Sequence, residues 1–264
     1  MQLPLSGHWQ LSPLTDLALP QDDLSFPAPF SQILPSHLTE SQILQQEWHL
    51  MHDIEVTENM LIFPVVDLVI GGIDYYAEVR VNGEAVFDCD GSEMCYRKDI
   101  QQHLRLGRNR IEILFLDQDD DWLLEGDEVC TLGGKLPRKR DNRLGIWETP
   151  YLDFISNVRL DYVTTEQIWH HGGGCEFKVI LFYKVYAVGL VSASVKFAGV
   201  TYQIPLDVRV NHVTALFQID APKLVKENFW YLLEVELDEQ KHTHQVGLHP
   251  SRNAEHFPIY SEKI

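Results

Sequence analysis

Asn82-Gly83 is the feature that most narrows what this chain can fold into. It stands between Tyr76-Ala77-Glu78-Val79-Arg80-Val81 and Ala85-Val86-Phe87, and the first of these runs alternates between apolar and polar residues. A two-residue hairpin needs positive φ at both central positions, which Asn-Gly supplies with least strain. The same period of two returns in Arg110-Ile111-Glu112-Ile113-Leu114-Phe115, just after the turn Gly107-Arg108-Asn109. Beyond about residue 156 the period becomes regular. Phe177, Val179, Leu181, Tyr183 and Val185 share one strand face, and Val191, Ala193, Val195 and Phe197 share the next. Val213, Ala215, Phe217 and Ile219 form a third set, and Tyr231, Leu233, Val235 and Leu237 a fourth. Strands at this spacing, separated by turns such as His170-His171-Gly172-Gly173-Gly174 rather than helices, predict an antiparallel sandwich of about 100 residues. One short helix is expected, from Thr39 to about Glu47. Thr39 and Gln42 have capping-box spacing there, and Ile43 and Leu44 supply an apolar stripe. The expected fold is all-β, with two β-sandwich domains over residues 1–158 and 159–264.

Charge and composition remove whole classes of function. Lys+Arg 21 against Asp+Glu 39 leaves a net charge of -18, which repels phosphate backbones, so nucleic acid is excluded as a partner. No apolar run approaches the roughly 18 residues of a spanning helix, so no membrane partner is expected. The opening Met1-Gln2-Leu3-Pro4-Leu5-Ser6-Gly7 lacks the basic and apolar regions of a signal peptide. A cytoplasmic location and reduced thiols at Cys89, Cys95, Cys130 and Cys175 are therefore expected. No nucleophile elbow, phosphate-cradling glycine loop or dinucleotide fingerprint occurs, and no cofactor is assigned.

Several stretches resemble, in order, the amino-terminal part of glycoside hydrolase family 2, most closely its β-mannosidase branch. Leu5-Ser6-Gly7-His8-Trp9-Gln10 is similar to the family's opening, and Trp48 through Val56 to the strand that follows its first helix. The densest likeness is Gly72-Ile73-Asp74-Tyr75-Tyr76-Ala77-Glu78-Val79-Arg80-Val81-Asn82-Gly83, continued by Gly107-Arg108-Asn109-Arg110-Ile111-Glu112-Ile113. Gly145-Ile146-Trp147-Glu148-Thr149-Pro150-Tyr151-Leu152 resembles the Gly-Ile-Trp strand that ends the family's first domain. The resemblance implies a galactose-binding-like jelly roll followed by an immunoglobulin-like sandwich. It also sets three departures. The Gly-Trp-Asp-Trp-Gly-Pro loop that contacts the sugar in β-mannosidases does not occur between Arg138-Lys139 and Gly145. Ala221-Pro222-Lys223-Leu224-Val225-Lys226 has neither the Trp nor the second Pro of the family's Pro-x-Leu-Trp-x-Pro stretch. Phe257-Pro258-Ile259-Tyr260 stands about where the family's catalytic barrel begins. A (β/α)8 barrel takes about 250 residues, and retaining hydrolysis needs two carboxylates about 5 Å apart. Two sandwiches use nearly all of 264 residues, so no catalytic residue is assigned and the chain is expected not to be an enzyme.

Candidate binding residues cluster in two loops of opposite sign. Asp117, Asp119, Asp121 and Glu128 have the ligand offsets of an EF-hand, yet Trp122 takes the place of the turn glycine and no helix pair flanks the run. A solvated acidic loop is the first reading of this run. A third reading is a sugar subsite, with carboxylates accepting from paired hydroxyls and Trp122 stacking on a pyranose face. The resemblance implies that the loop after this strand faces the active-site mouth, which ranks a sugar above calcium. Arg138, Lys139, Arg140 and Arg143 follow as a basic cluster, either a balancing surface loop or a seat for an acidic group. Trp147 ends the Gly-Ile-Trp strand, where strand-end packing competes with ligand contact. His242 and His244 fall on one strand face as a metal pair would, with His249 and His256 after them, but zinc needs three or four converging ligands and no metal is assigned. The residues assigned to sugar binding are Asp117, Asp119, Trp122, Arg138 and Trp147. The expected function is a non-catalytic, glycoside-hydrolase-like protein with a carbohydrate-binding or accessory role in carbohydrate metabolism. The alternative is an interaction scaffold that self-associates as a homo-oligomer or docks on a partner protein, a separately encoded catalytic barrel.

Overall fold

The computed structural model describes residues 1–17, 22–25, 28–29, 34, 38–39, 42–43, 46–74, 76–90, 95–116, 144–171, 173–207, 209–250 and 254–258. They divide into two compact units, residues 2–62 with 66–153, and Met1 with 63–65 and 154–264. Each is built from antiparallel sheets.

In the first unit the strands are β1 (Gln2–Pro4), β2 (His8–Pro13), β3 (Asp22–Ser25), β4 (Ala28–Pro29), β5 (Trp48–Val56), β6 (Val65–Gly71) and β7 (Ile73–Asp74). After these come β8 (Ala77–Val81), β9 (Glu84–Cys89), β10 (Cys95–Asp99), β11 (Gly107–Phe115), β12 (Gly145–Ile146) and β13 (Tyr151–Ile155). They form a sheet β1-β13-β6-β10, a larger sheet β3-β2-β5-β11-β8-β9 and a small one, β4-β12-β7. The alternation seen in sequence sets the inward faces. Trp48, Leu50, Ile54 and Val56 of β5 are buried, as are Ala77, Val79 and Val81 of β8. Each large side chain so removed from water contributes about 1.5–3 kcal/mol.

The Asn82-Gly83 hairpin forms as expected, with φ of 54° and 85°. Asn82 does more than tolerate the turn. Its amide donates to the His103 carbonyl at 2.8 Å and to Oδ1 of Asn109 at 2.9 Å, and its own Oδ1 accepts the Arg110 N–H at 2.9 Å. Asn109 is fully buried and closes the turn into β11 by donating to the Arg105 and Gly107 carbonyls. The asparagines and glycines of the family-like stretch thus tie two turns together. Near the expected helix start, the Thr39 N–H donates to Oε1 of Gln42 at 2.9 Å and the Gln42 N–H to Oγ1 of Thr39 at 3.3 Å, the reciprocal bonds of a capping box.

The second unit contains β14 (Val158–Trp169), β15 (Cys175–Val185), β16 (Ser192–Phe197), β17 (Val200–Pro205), β18 (His212–Ile219), β19 (Tyr231–Leu237), β20 (Gln240–Val246) and β21 (Ala254–Pro258). Two four-stranded sheets, β18-β15-β14-β21 and β17-β16-β19-β20, make a sandwich. The four strand faces read from sequence point into its core, where the Phe177 and Phe197 rings stack at 4.0 Å and Phe217 meets Phe197 edge-on at 5.7 Å. Two buried glutamines clamp one sheet to the other. Gln240 of β20 donates to the Val158 carbonyl at 2.7 Å and accepts the Leu160 N–H at 3.1 Å. Gln167 of β14 donates to the Gly247 carbonyl at 3.1 Å and accepts the His249 N–H at 2.9 Å.

Candidate functional site

The chain leaves β12 at Trp147, and the backbone there is held by a glycine pair at the end of β6. The Trp147 N–H donates to the Gly72 carbonyl at 2.9 Å. Gly72 has φ of 59°, and a Cβ on it would lie 2.9 Å from the Trp147 Cβ. Both its conformation and its surroundings therefore require glycine. A Cβ on Gly71 would collide with the Glu148 carboxylate. Ile146, one residue earlier, is fully buried. This buried anchor and the two glycines present Trp147 and Glu148 side by side at the surface, with Trp147 39% exposed. An indole face packs against the C–H face of a pyranose, and a carboxylate accepts hydrogen bonds from hydroxyls, so the pair has the chemistry of a sugar contact.

Behind it lies a charged interior. Burial, with the nearby Cys95, Asp153 and Glu148, pushes the Tyr151 hydroxyl well above its usual range, so it stays a proton donor. Asp67 lies fully buried in the middle of β6 and is ion-paired to Arg97 of β10, whose guanidinium also sits 3.6 Å from the Asp153 carboxylate. Burial raises the Asp153 carboxyl above the ordinary carboxylate range, and Arg97 opposes that rise. One guanidinium shared by two buried carboxylates makes a stiff support for the strand that carries Tyr151 and Asp153.

Of the residues assigned to sugar from sequence, Trp147 is described and stands at this surface. Asp117, Asp119, Trp122 and Arg138 lie outside the described residues, as do Asp121 and Glu128 of the calcium reading and Lys139, Arg140 and Arg143 of the basic cluster. His242 and His244 do share a face of β20, where burial lowers the His244 imidazole below its usual value. Among the described residues no group of three His, Cys, Asp or Glu is arranged to hold a metal ion. Burial pushes the Cys175 thiol up to about 11, which keeps it protonated and unreactive. Sequence reasoning missed Glu148, the Gly71-Gly72 seat and the Arg97 group. The available signal was Asp67, a lone carboxylate inside the apolar run Val65-Val66-Asp67-Leu68-Val69-Ile70, which demands a cationic partner.

A second groove is lined by Arg105, Arg108, Arg110 and Asp53 beside the Asn82 turn. The Asp53 carboxylate is already engaged: Arg110 reaches both its oxygens, at 2.9 and 3.1 Å, and Arg108 pairs with it as well. These two guanidiniums hold the Asp53 carboxyl far below the usual carboxylate range. It is a structural cluster.

Residues 28–123 match the family described as glycosyl hydrolase 2 galactose-binding domain-like. The chain is similar in fold to a β-D-mannosidase from Dictyoglomus thermophilum, with a TM-score of 0.69 at 15% identity, over 93% of this chain and 36% of that one. It is similar to a glycosyl hydrolase family 2 member from Bacteroides cellulosilyticus, with a TM-score of 0.64 at 12% identity, over 93% of this chain and 36% of that one. A β-galacturonidase from Eisenbergiella tayi bound to galacturonate gives 0.62 at 15% identity, over 94% of this chain and 43% of that one. The chain thus spans about two fifths of the length of the structures it matches. No curated protein sequence matches it.

Proposed function

We propose that this chain, whose residues 28–123 match the glycosyl hydrolase 2 galactose-binding domain-like family, is a non-catalytic carbohydrate-binding protein that holds neutral pyranosides against Trp147 and Glu148 and serves carbohydrate processing as an accessory. The observation that carries this reading is an exposed Trp147 whose N–H is bonded to the Gly72 carbonyl and whose Cβ, with the side chain of its chain neighbour Glu148, packs against Gly71 and Gly72. Aromatic anchors held in advance lose little entropy on binding, which favours weak ligands such as single sugars. The matched structures are named for a mannosidase and for galacturonate chemistry, so a class of ring rather than one sugar is inherited. Glu148 and a net charge of -18 oppose a ligand carboxylate, which selects neutral sugars over uronates. The sandwiches supply a surface for binding. Hydrolysis needs its paired carboxylates on a framework of its own.

Calorimetry with methyl mannosides, galactosides and the matching uronates tests the reading. Saturable binding to a neutral glycoside is expected with Kd near about 1 mM, equivalent to about -4 kcal/mol. Trp147→Ala should weaken it about tenfold or more at unchanged circular dichroism, and uronates should bind less well. Absence of saturation with every sugar overturns the proposal, and binding indifferent to Trp147→Ala removes it from this surface.

A further inference from the structure

Asn82 is the one asparagine of the sequence followed by glycine, a pair that is chemically labile in an unfolded chain. Glycine has no side chain to shield its backbone nitrogen. Once base removes its proton, the Gly83 nitrogen attacks Cγ of Asn82. The new C–N bond closes a five-membered imide, and the side-chain nitrogen leaves as ammonia. Water then opens the ring at one carbonyl or the other. The products are aspartate and isoaspartate, the latter with its main chain rerouted through the side chain.

Burial does not protect this pair. Gly83 is exposed, and a Cβ on it would meet nothing within 4 Å. Hydrogen bonds do the protecting. The Gly83 N–H donates to Oε2 of Glu112 at 3.0 Å, and a nitrogen that faces a carboxylate holds its proton against base. The other Glu112 oxygen lies 3.1 Å from Nε2 of His49, which fixes the carboxylate in place. Asn82 uses both amide hydrogens, on the His103 carbonyl and on Oδ1 of Asn109, and its own Oδ1 accepts the Arg110 N–H. Its Cγ cannot turn onto the Gly83 nitrogen without breaking these three bonds.

The same bonds reject the product. The His103 carbonyl and Oδ1 of Asn109 are both acceptors. Asn109 cannot reverse its amide to help. Its nitrogen donates to the Arg105 and Gly107 carbonyls, and its oxygen accepts the Arg105 N–H at 2.9 Å. Aspartate at position 82 would set a carboxylate oxygen against two acceptors with no proton between them. Isoaspartate would lengthen the main chain of a two-residue turn, whose length sets the register of β8 on β9. Asp-Gly forms the same turn type as Asn-Gly, so the lost donors rather than φ separate the two states.

We infer that Asn82-Gly83 is a deamidation site that the fold holds closed: it reacts while the chain is unfolded, and the reacted chain is barred from regaining the native first unit. The reaction needs only water and base. Time spent unfolded is thereby written into the covalent structure at one turn.

The tryptic peptide 81–97 contains Asn82 and no other asparagine or glutamine, so its gain of a single dalton reports this reaction alone. At mildly alkaline pH the full chain in urea should deamidate at Asn82 at least about tenfold faster than the folded chain. Glu112→Ala frees the Gly83 N–H and should raise the folded-state rate about tenfold. Glu236→Ala, which removes an exposed carboxylate from the second unit, should leave that rate unchanged. Asn82→Asp should lower the folding equilibrium constant at least about tenfold. Should either first-unit variant fold poorly, the unmodified chain decides. After dilution from urea, the molecules that regain native resistance to protease should be depleted in the deamidated peptide. Equal rates in the folded and unfolded chain overturn the inference, as does the absence of reaction in urea. Deamidated chains that refold as fully as intact ones overturn it too. None of these readings depends on whether sugar binds.

Discussion

The two units solve the same problem, polar groups inside a sandwich, with different chemistry. The first buries Asp67 and Asp153 against Arg97, a network of full charges. The second buries Gln167 and Gln240, neutral amides bonded to backbone across the two sheets. A buried ion pair barely repays its own desolvation, but removing one partner strands a charge in low dielectric. A neutral amide is cheaper to bury and loses less when cut. The first unit is thus the more brittle, and its brittleness should depend on pH.

The sharpest way to break the contrast is Arg97→Met. It should destabilise the protein by about 3–5 kcal/mol at neutral pH, measured by urea unfolding. The loss should shrink in acid. The Asp153 carboxyl is already raised by burial, and without Arg97 it rises further. A raised carboxyl contributes stability below its unfolded value near 3.8 and loses it as pH climbs through the folded one. A Gln240→Leu variant, the matching test in the second unit, leaves the Val158 carbonyl and Leu160 N–H without their partner. Its expected penalty is about 1–3 kcal/mol, the same at pH 5 and pH 8. A penalty equal to that of Arg97→Met, or one that varies with pH, would erase the distinction.

The smallest effect concerns His244. Burial lowers its imidazole, so the fold prefers the neutral ring while the unfolded chain takes up a proton near pH 6.5. Its contribution is present above pH 6.5 and lost as pH falls through the lowered value. Replacing it by Gln should flatten stability below pH 6.5 by at most about 1.4 kcal/mol per pH unit. Some slope should persist, because His49 is lowered too, by burial opposed by Glu112.

How far each unit was legible follows from the same chemistry. β15, β16, β18 and β19 stood out because their inward residues are apolar. β14 and β20 did not, since their inward faces include Thr165, Gln167, Gln240 and His244. A shift in register between Leu160 and Tyr162 breaks the period of β14 as well. At the candidate site Trp147 was visible as an aromatic residue at the end of a strand. Glu148 was not, because its position depends on the Gly71-Gly72 backbone, 76 positions away in sequence.

Sequence alone determined the all-β character, the Asn82-Gly83 hairpin and the inward faces of the apolar strands. These rest on steric limits on φ and on the separation of apolar side chains from water, which act over two or three residues. Tertiary structure decided that Arg97 answers Asp67, that two glycines seat Trp147 and that β17 is an edge. Each depends on which strand lies beside which, and a strand's own residues carry no record of the neighbour it lacks.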